Sequence, residues 1–286
     1  MRWSLQIPVA ETAVHWTMDP GMWRLAIFVI AFAGLGVMEF AWPRRAPRAK
    51  RLRRWSSHLT LAVLNSLAIR LLFPVTAVGW AAICAHRQWG LLQQVEWPGW
   101  LEIILAVVGL DLLIYWQHRV FHAWSFLWCL HQVHHADVDV DVSTGIRFHT
   151  IEMLLSQGIK LAGIGLLGAS PYAVLAFEII LNLGAMWSHT NVSLPPIVDR
   201  IVRWFVVTPD MHRVHHSVDR EESNRNFGFH LPWWDWLFHT YQAQPKNAHA
   251  SMELGLPGRA WRQLPENLLA LLRMPFAARQ ESGSDR

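Results

Sequence analysis

Nine histidines in four clusters are the residues of this chain best suited to chemistry. The clusters read H-x-x-x-H, H-x-x-H-H, a single H and a second H-x-x-H-H, and their members are His118, His122, His131, His134, His135, His189, His212, His215 and His216. Imidazole is the commonest protein ligand for zinc, copper, iron and nickel. Because four ligands fill a structural zinc site, nine histidines predict two metal ions. The isolated His15, His58, His86 and His249 are interpreted as ordinary core or surface residues.

The spacing of the clustered histidines predicts that helices present them. Residues three and four positions apart share a helix face, so each H-x-x-H-H string points its three imidazoles into one arc. The pair His118 and His122 lies on such a face at the end of an apolar segment, and the same face continues backwards to Tyr115 and Asp111. We expect the Asp111 carboxylate to accept the free N–H of a ligating histidine and fix its orientation. The alternative is that Asp111 only pairs within the helix bundle.

The composition favours a membrane helix bundle with a polar cap. Of the 286 residues, 52% are hydrophobic, and the mean hydropathy is +0.18. These values are high for a soluble domain and low for a protein buried wholly in lipid. The two cysteines, Cys84 and Cys129, cannot form a disulfide framework or a cysteine-based zinc site. The N-terminus lacks a signal-peptide pattern, so we expect the first apolar segment to remain as an anchor.

Apolar segments predict the elements that must position the histidines. The segments 23–42, 59–84 and 98–117 approach the ~20 residues that a transmembrane helix needs. The segment 153–188 is predicted to be a helical hairpin that turns at residues 168–171, where Gly and Pro occur. The expected fold class is therefore all-α, a polytopic bundle of three spans plus a helical hairpin.

A run of basic residues predicts the orientation of this bundle. Between positions 44 and 54 lie Arg44, Arg45, Arg48, Lys50, Arg51, Arg53 and Arg54, without an acidic residue among them. Such a run marks the cytoplasmic side of a span and can contact anionic headgroups, so nucleic-acid binding is the weaker interpretation of the net charge of +4. Counting spans from this run brings every histidine cluster to the cytoplasmic face. We therefore predict a cytoplasmic helical cap that holds one shared dimetal site.

Two charged residues fall inside the predicted hairpin. Lys160 and Glu178 lie on opposite arms, at similar distances from the turn. An unpaired charge inside a membrane is costly. Two hypotheses are open: the two side chains pair across the hairpin, or Lys160 reaches towards the interface while Glu178 points into the bundle.

The order of the motifs resembles the fatty acid hydroxylase and sterol desaturase superfamily of membrane oxygenases. The matching strings are DLLIYWQHRVFH at 111–122, HQVHH at 131–135, RFHTIE at 147–152, HTN at 189–191 and TPDMHRVHH at 208–216. NFG at 226–228 and WDWLF at 234–238 resemble the closing pattern of the family. The similarity covers about residues 30–242. One departure is His239, which stands where the family usually has glycine and puts the local turn in question.

The resemblance implies a cap with two irons that activate O₂ and hydroxylate or desaturate a lipid C–H bond, with zinc as a possible substitute. It implies the nine clustered histidines as ligands and no catalytic residue beyond them. The residues expected to support the ligands or line the pocket are Asp111, Tyr115, Arg147, His149, Asn191 and Asp235. We expect His149 to line the pocket or brace Glu152 rather than to bind metal.

The implied partners are a lipid substrate, O₂ and a separate electron donor of the ferredoxin or cytochrome type with its reductase. No nucleotide-binding motif occurs that would make the chain its own source of electrons. Two rivals stay open: a histidine-rich membrane metal transporter or storage protein, and a membrane zinc-dependent hydrolase. The expected location is a bacterial inner membrane with the metal site on the cytoplasmic side.

The predicted domain organisation has three parts. Residues 1–22 form a short extracytoplasmic N-terminus, and residues 23–242 form the membrane-embedded domain with its metal cap. Residues 243–286 form an extension with an interfacial amphipathic helix at 265–278 and a disordered tail.

Overall fold

The computed structural model describes residues 20–258 and 267–281, in which the regular secondary structure consists of helices joined by loops, with two isolated β-bridges. The long elements are α1 Pro20–Ala41, α2 Arg51–Leu72, α3 Ala77–His86, α4 Gly99–Ala123, α5 Ser125–His135, α6 Thr150–Leu167 and α7 Pro171–His189. The shorter ones are α8 Pro196–Val202, α9 Pro209–His215, α10 Arg220–Ser223, α11 Trp233–Leu237 and the C-terminal α12 Leu268–Glu281, with 3₁₀ turns at Leu91–Gln94 and Thr144–Ile146. The all-α prediction is confirmed for the described residues.

Five segments of the described chain are long and apolar enough to cross a membrane. They are Gly21–Ala41, Arg51–Gln94, Gly99–Ala123, Thr150–Leu167 and Pro171–His189. The predicted span 59–84 is wrong in its bounds, since α2 already begins at Arg51 and the helix is interrupted at residues 73–76. Pro74 lacks the N–H that a continuous helix needs, and the Thr76 side chain accepts a hydrogen bond from Gly79 N to start α3.

The turn of the hairpin lies where the sequence predicts it. α6 ends at Gly168, whose φ of 71° is left-handed and favours glycine, and the Ser170 side chain caps α7. Gln93, in the loop before α4, donates to Gly168 O at 2.7 Å, so this loop and the turn lie at the same end of the bundle. Both α4 and α7 start at that end, and their last turns therefore reach the opposite end together.

The hairpin contains an ion-pair network around the buried carboxylate of Glu178. Lys160 Nζ lies 2.6 Å from Glu178 Oε1, and Arg24 Nη1 of α1 lies 2.9 Å from Glu178 Oε2. The pairing hypothesis for Lys160 and Glu178 therefore agrees with the structure, and the snorkelling alternative does not. The sequence did not indicate Arg24 as a partner, because its proximity depends on how α1 packs against α7.

Replacing Glu178 is expected to destabilise the bundle strongly. Glu178→Gln leaves two cations without their carboxylate, a loss of about 3–5 kcal/mol for a buried pair. Adding Lys160→Met should restore part of that stability, because one uncompensated cation is removed. Thermal unfolding in detergent measures both variants, with exposed Glu96→Gln as the control. Strictly additive losses would contradict direct pairing.

The C-terminal helix packs on the cap. Leu271 and Met274 of α12 are buried against Leu61 of α2 and Val133 of α5, while Phe276 is exposed. The predicted interfacial helix is thus seated partly on protein. Its start at residue 265, the tail from 282 and the N-terminal residues 1–19, with His15, lie outside the described residues.

Residues after position 242 also contact the cap. Gly255 N donates to His216 O at 3.1 Å, and Arg45 Nη1 donates to Met252 O at 3.0 Å. Residues 252–256 are therefore packed against the histidine-bearing part of the chain. The division into domains at residue 242 stays a prediction.

Candidate metal centre

The nine clustered histidines meet at one end of the bundle. His118 and His122 lie in the last turns of α4, three histidines lie on α5, His189 is the last residue of α7, and three lie on or directly after α9. Eight of the nine are buried, and His122 is partly exposed. The prediction that the separate clusters come together therefore agrees with the structure.

These histidines form two groups whose nitrogen atoms lie within 4.8 Å of one another in each group. The five-histidine group contains His118, His122, His131, His135 and His215, and the four-histidine group contains His134, His189, His212 and His216. Each H-x-x-H-H string is divided between the groups, because neighbouring helical positions differ by about 100° in direction. The three imidazoles of each string, which the spacing predicted to point in one direction, are therefore shared between the two groups.

The hydrogen bonds of the five-histidine group fit a bound cation. The Nδ1 atoms of His118 and His215 each contact a backbone carbonyl oxygen at 2.8 Å, those of Phe227 and Arg225. A ring nitrogen that donates to a carbonyl must carry the proton, so each Nε2 presents a lone pair. These two Nε2 atoms lie 3.0 Å apart. Two facing lone pairs repel each other unless a cation lies between them, and a transition metal meets that requirement.

The four-histidine group is centred on His189. Its Nδ1 donates to Ala185 O at 2.6 Å, and its Nε2 lies 3.0–3.1 Å from the Nε2 atoms of His134, His212 and His216. The same argument therefore applies, because the His189 Nε2 carries a lone pair directed at three other imidazoles.

The ligand candidates outside the membrane-spanning helices are held neutral. Burial, followed by repulsion from neighbouring imidazoles, lowers the pKa of His134, His135, His212 and His216 well below the ordinary histidine value. Burial lowers the pKa of His215 to about 3. Metal binding requires neutral imidazole, so these residues need no deprotonation at neutral pH.

One carboxylate touches a clustered histidine directly. Glu152 Oε1 accepts from His131 Nδ1 at 2.6 Å, and the buried His131 Nε2 has no hydrogen-bond partner among the described residues. This arrangement fixes the ring and strengthens its free nitrogen as a ligand. The contacts of Asp111 differ from the role expected for it, because its Oδ2 accepts from Trp234 Nε1 at 2.8 Å and from Leu231 N at 3.3 Å rather than from a clustered histidine.

Removing the charge of Glu152 is expected to weaken metal binding. Glu152→Gln keeps the shape of the side chain but supplies a weaker acceptor for His131 Nδ1, and such partners contribute about 10–100-fold to metal affinity. Titration of the metal-loaded protein with a chelator measures this loss, and exposed Glu221→Gln is the control. An unchanged chelation curve for Glu152→Gln would show that the carboxylate does not support the metal.

Asp235 and Tyr115 are connected to His118 only indirectly, through the loop that contains Phe227. Asp235 accepts from Phe227 N at 2.8 Å and from the Thr240 hydroxyl at 2.7 Å, and Thr240 also contacts the Tyr115 hydroxyl at 2.9 Å. Because Phe227 O accepts from His118, these contacts hold the carbonyl that orients a ligand candidate. Both residues were expected to support the ligands, and neither contact is direct.

His239 forms the turn for which the family usually has glycine. Its φ of 56° lies in the left-handed region, which favours glycine. The Arg225 side chain donates to His239 O at 2.9 Å. The turn is therefore present, with a histidine in a conformation that glycine adopts more easily.

Asn191 and His149 have structural contacts away from both histidine groups. Asn191 N donates to the buried Glu39 carboxylate at 2.8 Å. His149 Nδ1 accepts from Ile151 N at 3.2 Å and so caps α6, and its Nε2 contacts Leu272 O of α12 at 3.2 Å. The contacts of His149 thus differ from the expected pocket-lining or Glu152-bracing role.

A network that the sequence analysis missed anchors α5. Arg54 is fully buried and donates to Asp137 at 2.9 Å and to Asp141 at 2.7 Å. Arg147 Nη1 lies 3.6 Å from Asp137, and Asp139 Oδ2 accepts backbone N–H groups of the 48–49 segment at 2.6–2.7 Å. The alternation D-V-D-V-D-V at 137–142 was a visible signal for this network.

These contacts correct the interpretation of the basic run. Besides the buried Arg54, Arg44 Nε lies 2.9 Å from Asp210 and Arg45 donates to the cap. These three side chains bind protein groups rather than lipid headgroups. Arg48, Lys50 and Arg53 are exposed, so only part of the run is available to headgroups.

One protein family matches the part of the chain that carries the clustered histidines. The family model described as "Fatty acid hydroxylase" matches residues 103–240, a range that includes every histidine of both groups. This part of the chain, just under half of its length, is therefore similar to the fatty acid hydroxylase family. No solved structure matches the chain.

Several curated relatives belong to the same superfamily. Ornithine lipid hydroxylase OlsE of Rhizobium tropici is 30% identical over 183 residues, which cover 64% of this chain and 52% of that protein. Human alkylglycerol monooxygenase is 32% identical over 142 residues, covering 49% of this chain and 30% of the relative. A putative Delta(7)-sterol-C5(6)-desaturase 2 of Arabidopsis thaliana is 24% identical over 158 residues, which cover 48% of this chain and 47% of that protein. The chain thus spans about half of OlsE and under a third of the monooxygenase.

Proposed function

We propose that this chain is a membrane-bound, O₂-dependent oxidoreductase that hydroxylates or desaturates a lipid at a C–H bond, using two iron ions. The observation that carries the proposal is the pair of adjacent histidine groups. Within each group, Nε2 atoms of different imidazoles face one another at about 3 Å. The printed names of the relatives, a lipid hydroxylase, a monooxygenase and a sterol desaturase, support the same class of reaction.

The proposed ligands of the two ions are the nine clustered histidines. An all-imidazole donor set suits iron, and zinc could occupy it as a substitute. When bound, the irons would supply the activation of O₂. Carbonyl oxygens and the Glu152 carboxylate hold the rings in place, and burial limits access of water.

The proposed reaction also requires electrons from outside this chain. In hydroxylation, one oxygen atom enters the C–H bond and the other leaves as water, which consumes two electrons and two protons. We propose that a separate ferredoxin- or cytochrome-type protein supplies the electrons. We assign no catalytic residue beyond the ligands.

The test is O₂-dependent product formation by purified, iron-loaded protein with extracted membrane lipids and a reductant. Isotopically labelled O₂ separates the two outcomes, since hydroxylation places the label in the lipid and desaturation does not. We expect products with iron and none with zinc. Lipid conversion without O₂ or reductant would contradict the proposal and favour a zinc hydrolase.

A metal transporter or storage protein is less consistent with the position of the histidines. Transporters bind their cargo near the bilayer midplane on broken helices. Here the histidines lie at the ends of α4 and α7 and in the shorter helices of the cap. We therefore keep the oxidoreductase as the proposal.

We further propose that the cap faces the cytoplasm of a bacterial inner membrane and that residues 23–242 form the membrane-embedded unit, between the short N-terminus 1–22 and the extension 243–286. Single cysteines at Lys50 and Glu96, both exposed, should label from opposite sides in a background lacking Cys84 and Cys129. Labelling of both from the same side would contradict this topology.

A further inference from the structure

An apolar groove runs along the bundle beside the histidines. It lies between α4 and α6, is completed by the start of α5, and has a volume of about 300 Å³. Leu113 and Val120 line it on α4, and Leu155 and Ile159 line it on α6. Both helices belong to the segments that can cross a membrane, so in a membrane the groove would open towards lipid chains.

The groove offers almost no hydrogen-bonding group to a ligand. The one lining residue with an amide is Gln117, whose Nε2 donates to Ser156 Oγ at 2.7 Å and whose Oε1 is buried. None of the described residues that line it is charged. A headgroup would lose its hydrogen bonds to water here without replacement, so the groove suits a hydrocarbon chain.

Both walls of the groove lead to the five-histidine group. On α4, the wall ends at Phe121, whose ring centroid lies 6.0 Å from that of His131. On α6, Leu155 is three residues from Glu152, which accepts from the same His131. The groove thus differs from other apolar surfaces of the bundle in leading to the clustered histidines.

We propose that this groove binds an alkyl chain of the lipid substrate, which enters sideways from the bilayer and is held against Phe121 at the edge of the five-histidine group. The inference rests on the proposed function, because a lipid-oxidising enzyme must hold its chain beside the metal. It assigns Leu155 and Ile159 as residues that determine which chains fit. Specificity then depends on the shape and length of the chain, with the headgroup outside the groove.

Photolabelling of the full chain in nanodiscs tests the groove directly. The probe is a hexadecyl glycerol ether with a diazirine within the alkyl chain, and the competitor is the same ether without the diazirine. We expect labelling of peptides containing Leu155 and Ile159 that excess competitor suppresses. Labelling of these peptides that the competitor does not reduce would overturn the proposal, since it would indicate ordinary lipid contact.

Variants that fill the groove provide the second arm. Leu155→Trp and Ile159→Trp should each weaken competitor-sensitive labelling by about tenfold, which the loss of two methylene contacts suffices to produce. Leu166→Trp, at an exposed position of the same helix, should leave labelling unchanged. Equal labelling in all three variants would refute the groove. If a variant does not fold, the competition experiment on the wild-type chain tests the proposal by itself.

The outcomes separate this inference from the proposed function. Competitor-sensitive labelling without any O₂-dependent product would support the groove and contradict the function. Product formation whose rates are unchanged in both groove-filling variants would support the function and contradict the groove.

Discussion

Alanine in place of His215 or His212 is expected to remove one metal ion each and to abolish lipid oxidation. His215 belongs to the five-histidine group and His212 to the four-histidine group, so each substitution opens a different site. Losing a partner of a ligand already costs about 10–100-fold, and losing the ligand itself should lower turnover by more than about 100-fold. Elemental analysis and product formation measure the two effects.

The matched control is His86→Ala, because His86 is exposed at the end of α3 and belongs to neither group. It should keep the metal content and activity of the wild type. Retention of both ions by His215→Ala and His212→Ala would contradict the ligand assignment. Loss of both ions from either variant would indicate that the two sites bind metal cooperatively.

Arg54→Met is expected to destabilise the protein by about 3–5 kcal/mol, since it leaves the buried carboxylates of Asp137 and Asp141 without their main cation. The 137–142 segment directly follows α5, which carries three of the proposed ligands, so metal content should fall as well. Thermal unfolding in detergent measures the loss. The neighbouring exposed Arg53→Met is the control and should change stability by less than about 0.5 kcal/mol.

The same network predicts a dependence on pH. Although burial opposes it, the charges of Arg54 and Arg147 lower the pKa of Asp137 below its ordinary value. A lowered pKa in the folded state means that the stabilisation is complete above the unfolded value of about 3.9 and is lost as the pH falls below it. The difference between Arg54→Met and the wild type should therefore shrink below about pH 4. A difference that is constant down to pH 2 would contradict the network.

The sequence predicted those features that depend on local spacing. The i, i+4 pair His118 and His122 lies on one face of α4, and the turn of the hairpin lies at Gly168, because helical periodicity and glycine conformation act within a few residues. The histidine clusters are also brought together as expected. Span counting alone places their helix ends on one side of the membrane.

Features that depend on packing between distant segments could not be predicted in this way. Asp111 and Glu152 are both carboxylates near the cap, and only the packing of α6 beside α5 brings Glu152 to His131. Arg54 and Asp137 are 83 positions apart, so a run of basic residues looked like a membrane-surface signal. Two of the pairings that the spacing suggested were also divided, since His131 and His134 belong to different groups, as do His212 and His215.

The number of metal ions per folded chain tests the central claim most directly. Elemental analysis of protein purified under gentle conditions, with folding checked by size-exclusion chromatography, should give two transition-metal ions per chain. His215→Ala and His212→Ala, measured alongside, should give one each. A folded wild-type chain that holds at most one ion under metal-replete conditions would contradict the account of two adjacent histidine sites.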